Sequence, residues 1–479
     1  MEELMMVLPI TAALLGAGRR GFYVYGNYAK INNTKLKFVA VAEPIKKRRE
    51  EFARLHSISP NNCYENWEDL LSQKKLADVI FICTQDQMHT KPTLLALEKG
   101  YNVLLEKPMA HNLSDCIKIV QKVEETGKII GVSHVLRYTD FFSTIFEIIK
   151  KGLLGDIVNI SHRENVSWYH MAHSYVRGPW AKVEDSSPMI LSKACHDLDL
   201  LYWMVGSLPK KISSFGNLMH FRPKTAPPGA PKFCLDGCKE KETCKYYAPR
   251  TYIDILPIVQ IMLKGKHRFF KILGNLRKNH VKLLTVLSKI IPSFKRLRYW
   301  SEWPVYYIYE EEKKDFSDQA KFEILKSSRY GRCVYHCDNN VVDHQIVNIE
   351  FENGVTANFT MHGFSEKEGR TLRIDGTEAT LIGEFHDAYK KLTIFNHLSG
   401  GKKKIINQKL SLDTSEHGGG DSKLIDAFIE TLMNPSFIQP LTNARDCLES
   451  HLMAFAANES RIKDKVIDMA EFRKKSELL

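Results

Sequence analysis

Short apolar runs alternate with amphipathic segments through the first part of the chain. The apolar runs fall at residues 10–15, 36–43, 77–83, 102–105 and 129–135, and helix-compatible segments such as 92–98 and 114–126 separate them. This alternation is typical of a parallel sheet covered by helices on both faces. Residues 1–135 are therefore predicted to form an α/β Rossmann domain, a doubly wound parallel sheet.

From about position 136 the pattern changes to alternating and β-branched residues. Such segments lie at 158–166, 211–221, 345–351, 355–364, 371–374 and 380–385. Asn353-Gly354 and Asp375-Gly376 supply tight turns that join antiparallel strands. Two helical segments, 421–432 and 443–464, close the chain. Residues 136–479 are predicted to form an α+β domain with a large, mostly antiparallel open sheet.

A glycine-rich segment follows the first apolar run. Gly16, Gly18 and Gly21 form a G-x-G-x-x-G pattern that includes Arg19, and Glu43 ends the next predicted strand. In a dinucleotide-binding unit the three glycines permit the tight turn, the approach of the pyrophosphate and the close packing of the helix. The acid accepts hydrogen bonds from the ribose hydroxyls. We therefore predict a dinucleotide site, with NAD preferred.

Other candidates for cofactor contact fall at the carboxyl ends of later strands. These are Thr84, His89, Glu106 and Lys107. In a doubly wound sheet the cofactor lies across that edge. The basic residues at 46–48, directly after Glu43, would tolerate a 2′-phosphate, so NADP is possible as well.

The formal charge of +12 is concentrated in one segment. Residues 264–298 contain eleven lysines and arginines and no acid, whereas the rest of the chain is nearly neutral. This distribution argues against a nucleic-acid partner. Leucines between the lysines predict one or two amphipathic helices in a basic insert near 260–300. A solvated helix that covers the sheet is the favoured interpretation, and peripheral contact with an anionic membrane is the alternative.

The termini and the cysteines indicate a cytoplasmic protein. The apolar run 4–15 is preceded by Glu2 and Glu3, so it is interpreted as a first strand rather than a signal peptide. No segment is long and apolar enough to predict a transmembrane helix. Ten scattered cysteines suit a reducing compartment.

One local cysteine cluster, Cys234-x3-Cys238-x5-Cys244, leaves two interpretations open. Three thiolates would hold zinc if a fourth ligand came near. Alternatively, the three cysteines are reduced residues of a loop. The candidate fourth ligands are His220, Cys333, His336 and Cys337.

Taken together, these motifs resemble the Gfo/Idh/MocA oxidoreductases, the glucose–fructose oxidoreductase and inositol dehydrogenase family. The resemblance rests on the glycine loop, Glu106-Lys107-Pro108, Arg137-Tyr138 and the run Cys195-His196-Asp197-Leu198-Asp199. It implies an NAD(P) site, a sugar or polyol substrate, and a homodimer or homotetramer that packs through the open sheet.

The resemblance also implies that Lys107 is catalytic, as the donor that stabilises a developing alkoxide. His196 is the proton-transfer candidate because imidazole titrates near neutral pH. Many relatives carry an aspartate four residues before this histidine, but Ser192 stands there, and Lys193 shares the same helix face. A second lysine would favour an anionic or keto substrate, or share the proton transfer.

Arg137, Tyr169 and His344 are expected to contact substrate. Arg137 follows the last strand of the first domain, and Tyr169 lies in an aromatic segment that would stack on a sugar ring. His344 would line the pocket from the second domain. For each of these residues, packing or a surface loop is an equally good interpretation.

Three functions remain open from the sequence. The first is an NAD(P)-dependent oxidoreductase acting on CH–OH groups of a sugar, polyol or sugar derivative. The second is a redox-neutral, NAD-dependent glycosidase or lyase of the same fold. The third is a non-catalytic, cofactor-sensing regulator, which the presence of Lys107 and His196 disfavours.

Overall fold

The computed structural model describes residues 8–264, 268–309, 317–386, 389–409, 416–435 and 440–476. The start of the predicted first strand, residues 4–7, and Lys266 of the basic insert lie outside these residues. Within them, no helix combines the length and the apolar composition that a membrane crossing requires.

The first sheet has six parallel strands in the order β3-β2-β1-β4-β5-β6. This confirms the predicted Rossmann architecture. The strands are β1 Ile10–Leu15, β2 Leu36–Ala42, β3 Cys63–Tyr64, β4 Val79–Ile82, β5 Asn102–Leu105 and β6 Ile130–Val132. The helices between them are α1 Asn27–Ile31, α2 Lys46–His56, α3 Trp67–Ser72, α4 Thr90–Glu98 and α5 Leu113–Thr126. A π-helical turn, Arg20–Gly26, precedes α1.

The second sheet has nine strands in the order β14-β13-β12-β11-β7-β10-β9-β8-β15. Only β7 and β10 pair in parallel, so the predicted mostly antiparallel sheet is confirmed. The strands are β7 Ile157–Ser167, β8 Pro209–Asn217, β9 His344–Phe351, β10 Thr356–Ser365, β11 Gly369–Gly376, β12 Ala379–His386, β13 Tyr389–Asn396, β14 Lys402–Lys409 and β15 Ile467–Asp468.

Helices connect and cover this sheet. They are α6 Asp140–Lys150, α7 Trp168–His170, α8 Met189–Ser192, α9 Cys195–Val205, α10 Ala248–Tyr252, α11 Leu256–Lys264, α12 Arg268–Asn279, α13 Val281–Leu287, α14 Pro292–Arg298, α15 Asp318–Ser327, α16 Gly420–Met433, α17 Ala444–Lys463 and α18 Met469–Ser476. The basic insert thus folds as the short helices α11 to α14, and the segments on either side of it form a small separate core around Tyr252 and Leu325.

Each face of the first sheet packs against different partners. Leu15 and Val103 belong to a core that continues into the second domain. Leu14 and Phe81 point the other way, because side chains alternate along a strand, and pack with residues of α16 such as Phe428. The first domain is therefore completed by a helix from a distant part of the chain.

Phe428 should be essential to the stability of the first domain. It is 3% exposed, and a Cβ at Gly131 of β6 would lie 2.9 Å from its ring. Phe428→Ala is expected to lower the free energy of unfolding by about 3–5 kcal/mol, because a ring-sized cavity is left in a packed face. Urea denaturation measures this, with Leu398→Ala, 95% exposed, as the control. Equal stability of Phe428→Ala and wild type would contradict the assignment.

Candidate active site

The three glycines of the loop differ in what surrounds them. A Cβ at Gly16, whose φ is +92°, would lie 2.7 Å from the Cys83 carbonyl oxygen, and one at Gly21 would lie 2.1 Å from the Gly16 carbonyl oxygen. A Cβ at Gly18 would meet no atom within 4 Å. Gly16 and Gly21 thus serve the chain's own packing, whereas Gly18 leaves open space at the helix start. This arrangement fits the pyrophosphate of a dinucleotide.

Glu43 supports this loop from the end of β2. Its Oε2 accepts a hydrogen bond of 2.7 Å from the Ala17 N–H, and its Oε1 accepts one of 3.0 Å from the Ile45 N–H. The carboxylate is 4% exposed. Because each carboxylate oxygen has two lone pairs, these bonds leave acceptor capacity for a ribose hydroxyl. The ribose contact stays a prediction.

His89 and Thr84 lie at the end of β4, where the sequence places them. The His89 ring nitrogens lie 2.7 Å from the Pro108 carbonyl oxygen and 3.1 Å from that of Thr84. Both nitrogens are therefore taken by backbone groups. His89 joins the β4 loop to the Lys107-Pro108 segment, and its contact with the cofactor stays a prediction.

Arg20 links three parts of the site. Its Nε donates to Glu106 Oε1 at 2.7 Å, and its Nη2 donates to Asp421 Oδ1 at 2.7 Å. Tyr25 also donates to Glu106 Oε1, at 2.6 Å. Burial alone would raise the pKa of Glu106, but the Arg20 charge and these bonds lower it. Glu106 is thus held as an anion, and its Oε2 accepts the Lys107 N–H at 3.3 Å.

Lys107 and His196 come together at the predicted position. The Lys107 Nζ donates to the Ser192 carbonyl oxygen at 2.9 Å, directly before the helix that carries His196. His196 is 4% exposed. Burial, followed by the charge of Lys107, lowers its pKa well below the ordinary value. The imidazole is therefore neutral at physiological pH, the state required to accept a proton.

His417 and Asp421 were missed in the sequence analysis as site residues. The ring of His417 lies 5.9 Å from that of His196, centroid to centroid, and its Nδ1 lies 3.2 Å from Asp421 Oδ2. Burial would raise the pKa of Asp421, but Arg20 and His417 lower it. The sequence feature that could have identified these residues is the run His417-Gly-Gly-Gly-Asp421. Its glycines permit the left-handed backbone at Gly418 and Gly419 that turns the histidine inwards.

A row of imidazoles continues behind His196. Ring centroids are separated by 5.5 Å between His196 and His134, and by 5.6 Å between His134 and His451. His451 Nε2 accepts the Met109 N–H at 2.9 Å, and its Nδ1 donates to the Cys447 carbonyl oxygen at 2.7 Å. These two bonds define a neutral tautomer, consistent with a pKa that burial lowers to about 3.

Lys193 does not fit its predicted catalytic role. Its Nζ lies 2.9 Å from Glu368 Oε1 and 3.2 Å from Glu164 Oε1. Burial would lower its pKa, but the two carboxylates raise it, so the ammonium keeps its proton. Because both neighbours are acids, the charge expected to attract an anionic substrate is balanced within the protein.

Glu164 and Glu368 belong to a buried charge network that the sequence did not reveal. Arg370 contacts Glu164 Oε2 at 2.7 Å and Asp197 Oδ1 at 2.7 Å. His162 Nε2 lies 2.7 Å from the same Asp197 oxygen. Burial raises the pKa of Glu164 to about 7. These residues come from β7, α9 and β11, which only the folded sheet brings together.

Two of the three predicted substrate residues lie elsewhere. Arg137 is 3% exposed and binds Asp199 through two bonds of 2.7 and 2.6 Å, because a buried guanidinium requires a counter-charge. His344 lies opposite His362 on the neighbouring strand, and His362 lies opposite Asn165, so the three side chains share one face of the sheet. Glu164, next to Asn165 in the chain, points to the opposite face. His344 therefore lies on the outer face of the second sheet. Neither residue is placed to contact a substrate beside Lys107.

Tyr169 lies in an aromatic group around Trp303, which follows the basic insert. Its ring lies 5.7 Å from the Trp303 ring, and those of His170 and His173 lie at 5.4 and 5.5 Å. Arg19 of the glycine loop stacks over the same Trp303, at 5.9 Å. The glycine loop and the predicted sugar-stacking segment thus meet at one side chain.

Comparisons with known proteins agree with this geometry. A family model described as an oxidoreductase family with an NAD-binding Rossmann fold matches residues 10–134. The whole chain resembles the crystal structure of an oxidoreductase from Agrobacterium radiobacter in complex with NAD+, L-tartaric acid and magnesium. The TM-score is 0.62 at 13% identity, covering 96% of this chain and 99% of that one. At this identity the likeness establishes the fold.

Two curated relatives match over shorter stretches. The scyllo-inositol 2-dehydrogenase (NAD(+)) of Bacillus subtilis is 26% identical over 216 residues, which cover 44% of this chain and 58% of that enzyme. The 2,7-anhydro-N-acetylneuraminate hydratase of Escherichia coli is 27% identical over 156 residues, covering 32% and 41%. The matches thus span less than two thirds of either relative.

Alanine substitutions at Gly18 and Gly21 should have separate effects, the first on cofactor binding and the second on the stability of the fold. Gly18→Ala should leave the melting temperature unchanged and weaken NADH binding, because the methyl group enters space that only a ligand would fill. Gly21→Ala should lower the melting temperature, because its Cβ collides with backbone. Thermal unfolding and NADH fluorescence titration measure the two effects. Unchanged NADH affinity in Gly18→Ala would contradict the proposed pyrophosphate position.

His451 predicts a loss of stability in acid. Its folded pKa of about 3 lies below the unfolded value of about 6.5, so stability is complete above pH 6.5 and falls as the pH decreases. His451→Gln should make the decrease shallower by about 1.4 kcal/mol per pH unit, the contribution of one proton. Urea unfolding across this range tests it, with exposed His280→Gln as the control. An unchanged slope in His451→Gln would exclude a neutral buried His451.

Proposed function

We propose that the chain is an oxidoreductase of the Gfo/Idh/MocA family, whose model matches residues 10–134, and that it oxidises a CH–OH group of a sugar or cyclic polyol with NAD. The inositol dehydrogenase relative supports this substrate class. The proposal depends above all on the contrast between two lysines. Lys193 is held by two carboxylates. For Lys107, no carboxylate of the described residues lies within ion-pair distance.

Gly18 and Glu43 would hold the dinucleotide at the carboxyl ends of β1 and β2. When bound, the nicotinamide supplies a hydride acceptor. The remaining chemistry falls to the protein. His196, neutral because it is buried, accepts the proton of the substrate hydroxyl. The Lys107 ammonium donates a hydrogen bond to the same oxygen and stabilises the charge that develops there.

The protonated His196 then has to release its proton, because burial and Lys107 disfavour its cation. His417 lies on one side of it, backed by the Asp421 carboxylate. We propose that His417 receives this proton and directs it outwards, while Asp421 holds the His417 ring. In this role Asp421, together with His417, replaces the aspartate that relatives carry at the position of Ser192.

Substitution of the two central residues tests the mechanism. Lys107→Met and His196→Asn should each lower kcat by about 100- to 10,000-fold while NADH binding is retained, because each removes a proton-transfer or charge-stabilising group. NADH formation with a panel of inositols, sugars and glycosides measures kcat. Lys99→Met, an exposed lysine of the same domain, is the control. Wild-type turnover in Lys107→Met would refute the assignment.

The same assay separates net oxidation from redox-neutral chemistry. Net oxidation produces one NADH for each substrate consumed. A glycosidase, lyase or hydratase cycle would consume substrate without accumulation of NADH. The first outcome is the proposed one.

We further propose that the basic insert contacts an anionic membrane surface. Phe269, Ile272, Val286 and Ile290 are 60%, 57%, 56% and 74% exposed, and lysines separate them along the helices. Three other cations of the segment have partners within the protein. Arg277 donates to the Ile253 carbonyl, Arg298 binds Asp318, and Lys264 binds Glu366. The remaining described lysines of the segment have no carboxylate within ion-pair distance among the described residues. Exposed apolar side chains between such lysines are typical of helices that lie on lipid.

Vesicle sedimentation tests this contact. Binding to vesicles containing phosphatidylglycerol should exceed binding to pure phosphatidylcholine and should weaken as salt is raised. Phe269→Glu combined with Ile290→Glu should abolish it, because both apolar anchors become charged. Leu398→Glu, at an exposed apolar position elsewhere, is the control. Equal affinity for both kinds of vesicle would contradict an electrostatic contact.

The predicted oligomer stays a prediction. The outer face of the second sheet carries Phe215, Ile346 and Ile382, which are 57%, 40% and 37% exposed. These apolar side chains lie on the face that the resemblance implies for subunit packing.

A further inference from the structure

Four cysteines from two distant segments line a single cavity. Cys234, Cys238 and Cys244 lie in the loop between β8 and α10, and Cys333 lies in the segment between α15 and β9. All ten cysteines of the chain are free thiols. Cys238 and Cys244 are partly exposed, whereas Cys234 and Cys333 are 5% and 7% exposed. The cavity is thus reachable at one end and closed at the other.

The fold holds the two segments together by backbone pairing. Phe233 and Arg332 form an isolated antiparallel bridge. The Cys234 N–H donates to the Gly331 carbonyl at 2.9 Å, and the Cys333 N–H donates to the Lys232 carbonyl at 2.8 Å. Cys234 and Cys333 therefore flank the bridge, so their convergence is fixed by the main chain rather than by side-chain rotamers.

A buried cation points at this cluster. Arg177 is 1% exposed, and its Nη2 lies 3.6 Å from Cys234 Sγ. Its other contacts are carbonyl oxygens, those of Arg332 at 2.8 Å and Tyr246 at 2.7 Å. Within the described part of the chain, no carboxylate lies within ion-pair distance of it. A buried guanidinium without a counter-ion is costly, so an anionic cluster of thiolates is the partner that this position requires.

The other candidate ligands are occupied. His220 Nε2 lies 3.3 Å from the Tyr335 hydroxyl, and His336 Nε2 lies 3.0 Å from the Ala230 carbonyl oxygen. Cys337 donates its thiol to the Cys333 carbonyl at 3.3 Å and does not line the cavity. Of the fourth ligands left open by the sequence, the structure places Cys333 with the other three cysteines.

We propose that Cys234, Cys238, Cys244 and Cys333 bind a metal centre through four thiolates. Four soft sulfur ligands select zinc or an iron–sulfur cluster over hard cations such as magnesium. Either centre carries net negative charge and would neutralise Arg177.

The sulfurs are spaced more widely than in a zinc tetrahedron, and an iron–sulfur cluster is therefore the first centre to test. Zinc with Zn–S bonds of about 2.3 Å in a tetrahedron holds its sulfurs about 3.8 Å apart. Among these described cysteines, no three sulfurs lie within 4.8 Å of one another. A four-iron cluster binds each cysteine to a different iron, which places the sulfurs farther apart.

The centre would have a structural role. It would tie the loop 234–244 to the segment before β9, next to Tyr246, which packs on Trp168 at 5.8 Å beside the predicted sugar-stacking residues. No electron transfer is required of it. Its loss should therefore loosen the substrate side of the cleft while the glycine loop and NADH binding are retained.

Metal analysis of the full-length protein, purified without oxygen and without an affinity metal, tests the proposal. We expect about four irons and four acid-labile sulfides per chain, with absorption in the visible range. One zinc per chain with no iron would support the four-thiolate site and identify its metal as zinc. Protein with neither metal, even after reconstitution with iron and sulfide or with zinc, would overturn the proposal.

Single substitutions assign the ligands. Cys238→Ser and Cys244→Ser should each lose most of the metal and lower the melting temperature. Cys337→Ser is the matched control, because it lies four residues from Cys333 but outside the cavity, and it should keep the metal. Full metal content in Cys238→Ser, or loss of metal in Cys337→Ser, would refute this ligand set. If the ligand variants do not fold, alkylation of the wild type decides: four additional thiols should react only after the metal is removed.

Discussion

Arg20 bridges the carboxylates of Glu106 and Asp421, and the geometry of the candidate site depends on this bridge. One guanidinium joins the helix that follows the glycine loop, the strand end that carries Lys107, and the C-terminal helix that carries the partner of His417. Removal of one member of such a buried pair typically costs about 3–5 kcal/mol, because the remaining charge is left uncompensated. The positions of the cofactor loop, the ammonium and the imidazole are therefore set together rather than independently.

The buried cations near Arg20 differ in whether a carboxylate neutralises them, and this difference bears on the chemistry of the site. Lys193, Arg370 and Arg137 are each neutralised by carboxylates inside the protein. Lys107 faces a backbone carbonyl instead. A cation whose nearest partner is a neutral dipole retains most of its capacity to stabilise a negative oxygen. The buried imidazole beside it, kept neutral by its surroundings, complements it as a proton acceptor.

The sequence was sufficient for most of the architecture, because local apolar periodicity and glycine spacing determine it. Five of the six strands of the first sheet and the mostly antiparallel second sheet follow from such local patterns, whereas the two-residue strand β3 does not. Strands β13 and β14 escaped prediction, and the many lysines of β14 suit an edge strand better than an apolar one. Lys107 and His196 were recognised because they occur in compact motifs.

The partners of those residues could not be predicted, because they meet only in the folded chain. Glu164 and Glu368 look like ordinary strand and turn acids in the sequence, but pairing of β7 with β11 places both beside Lys193. Arg137 looks like a substrate ligand until Asp199 is seen to bind it from α9. His344 was misjudged because alternation along β9 decides which face it occupies, and the pairing register of that strand is a property of the whole sheet.

The helix α16 has a consequence for the order in which the protein forms. The last strand of the first sheet ends at residue 132, but one face of this sheet packs against residues 420–433. At about 5–20 residues per second, a ribosome takes roughly 15–60 s to make the intervening chain. During that interval the part of the sheet that α16 covers is bare, while residues such as Tyr28 and Phe52 already cover the rest of this face. A cell that makes this protein has to shield that surface, through chaperones or the ribosome itself, until the last part of the chain emerges.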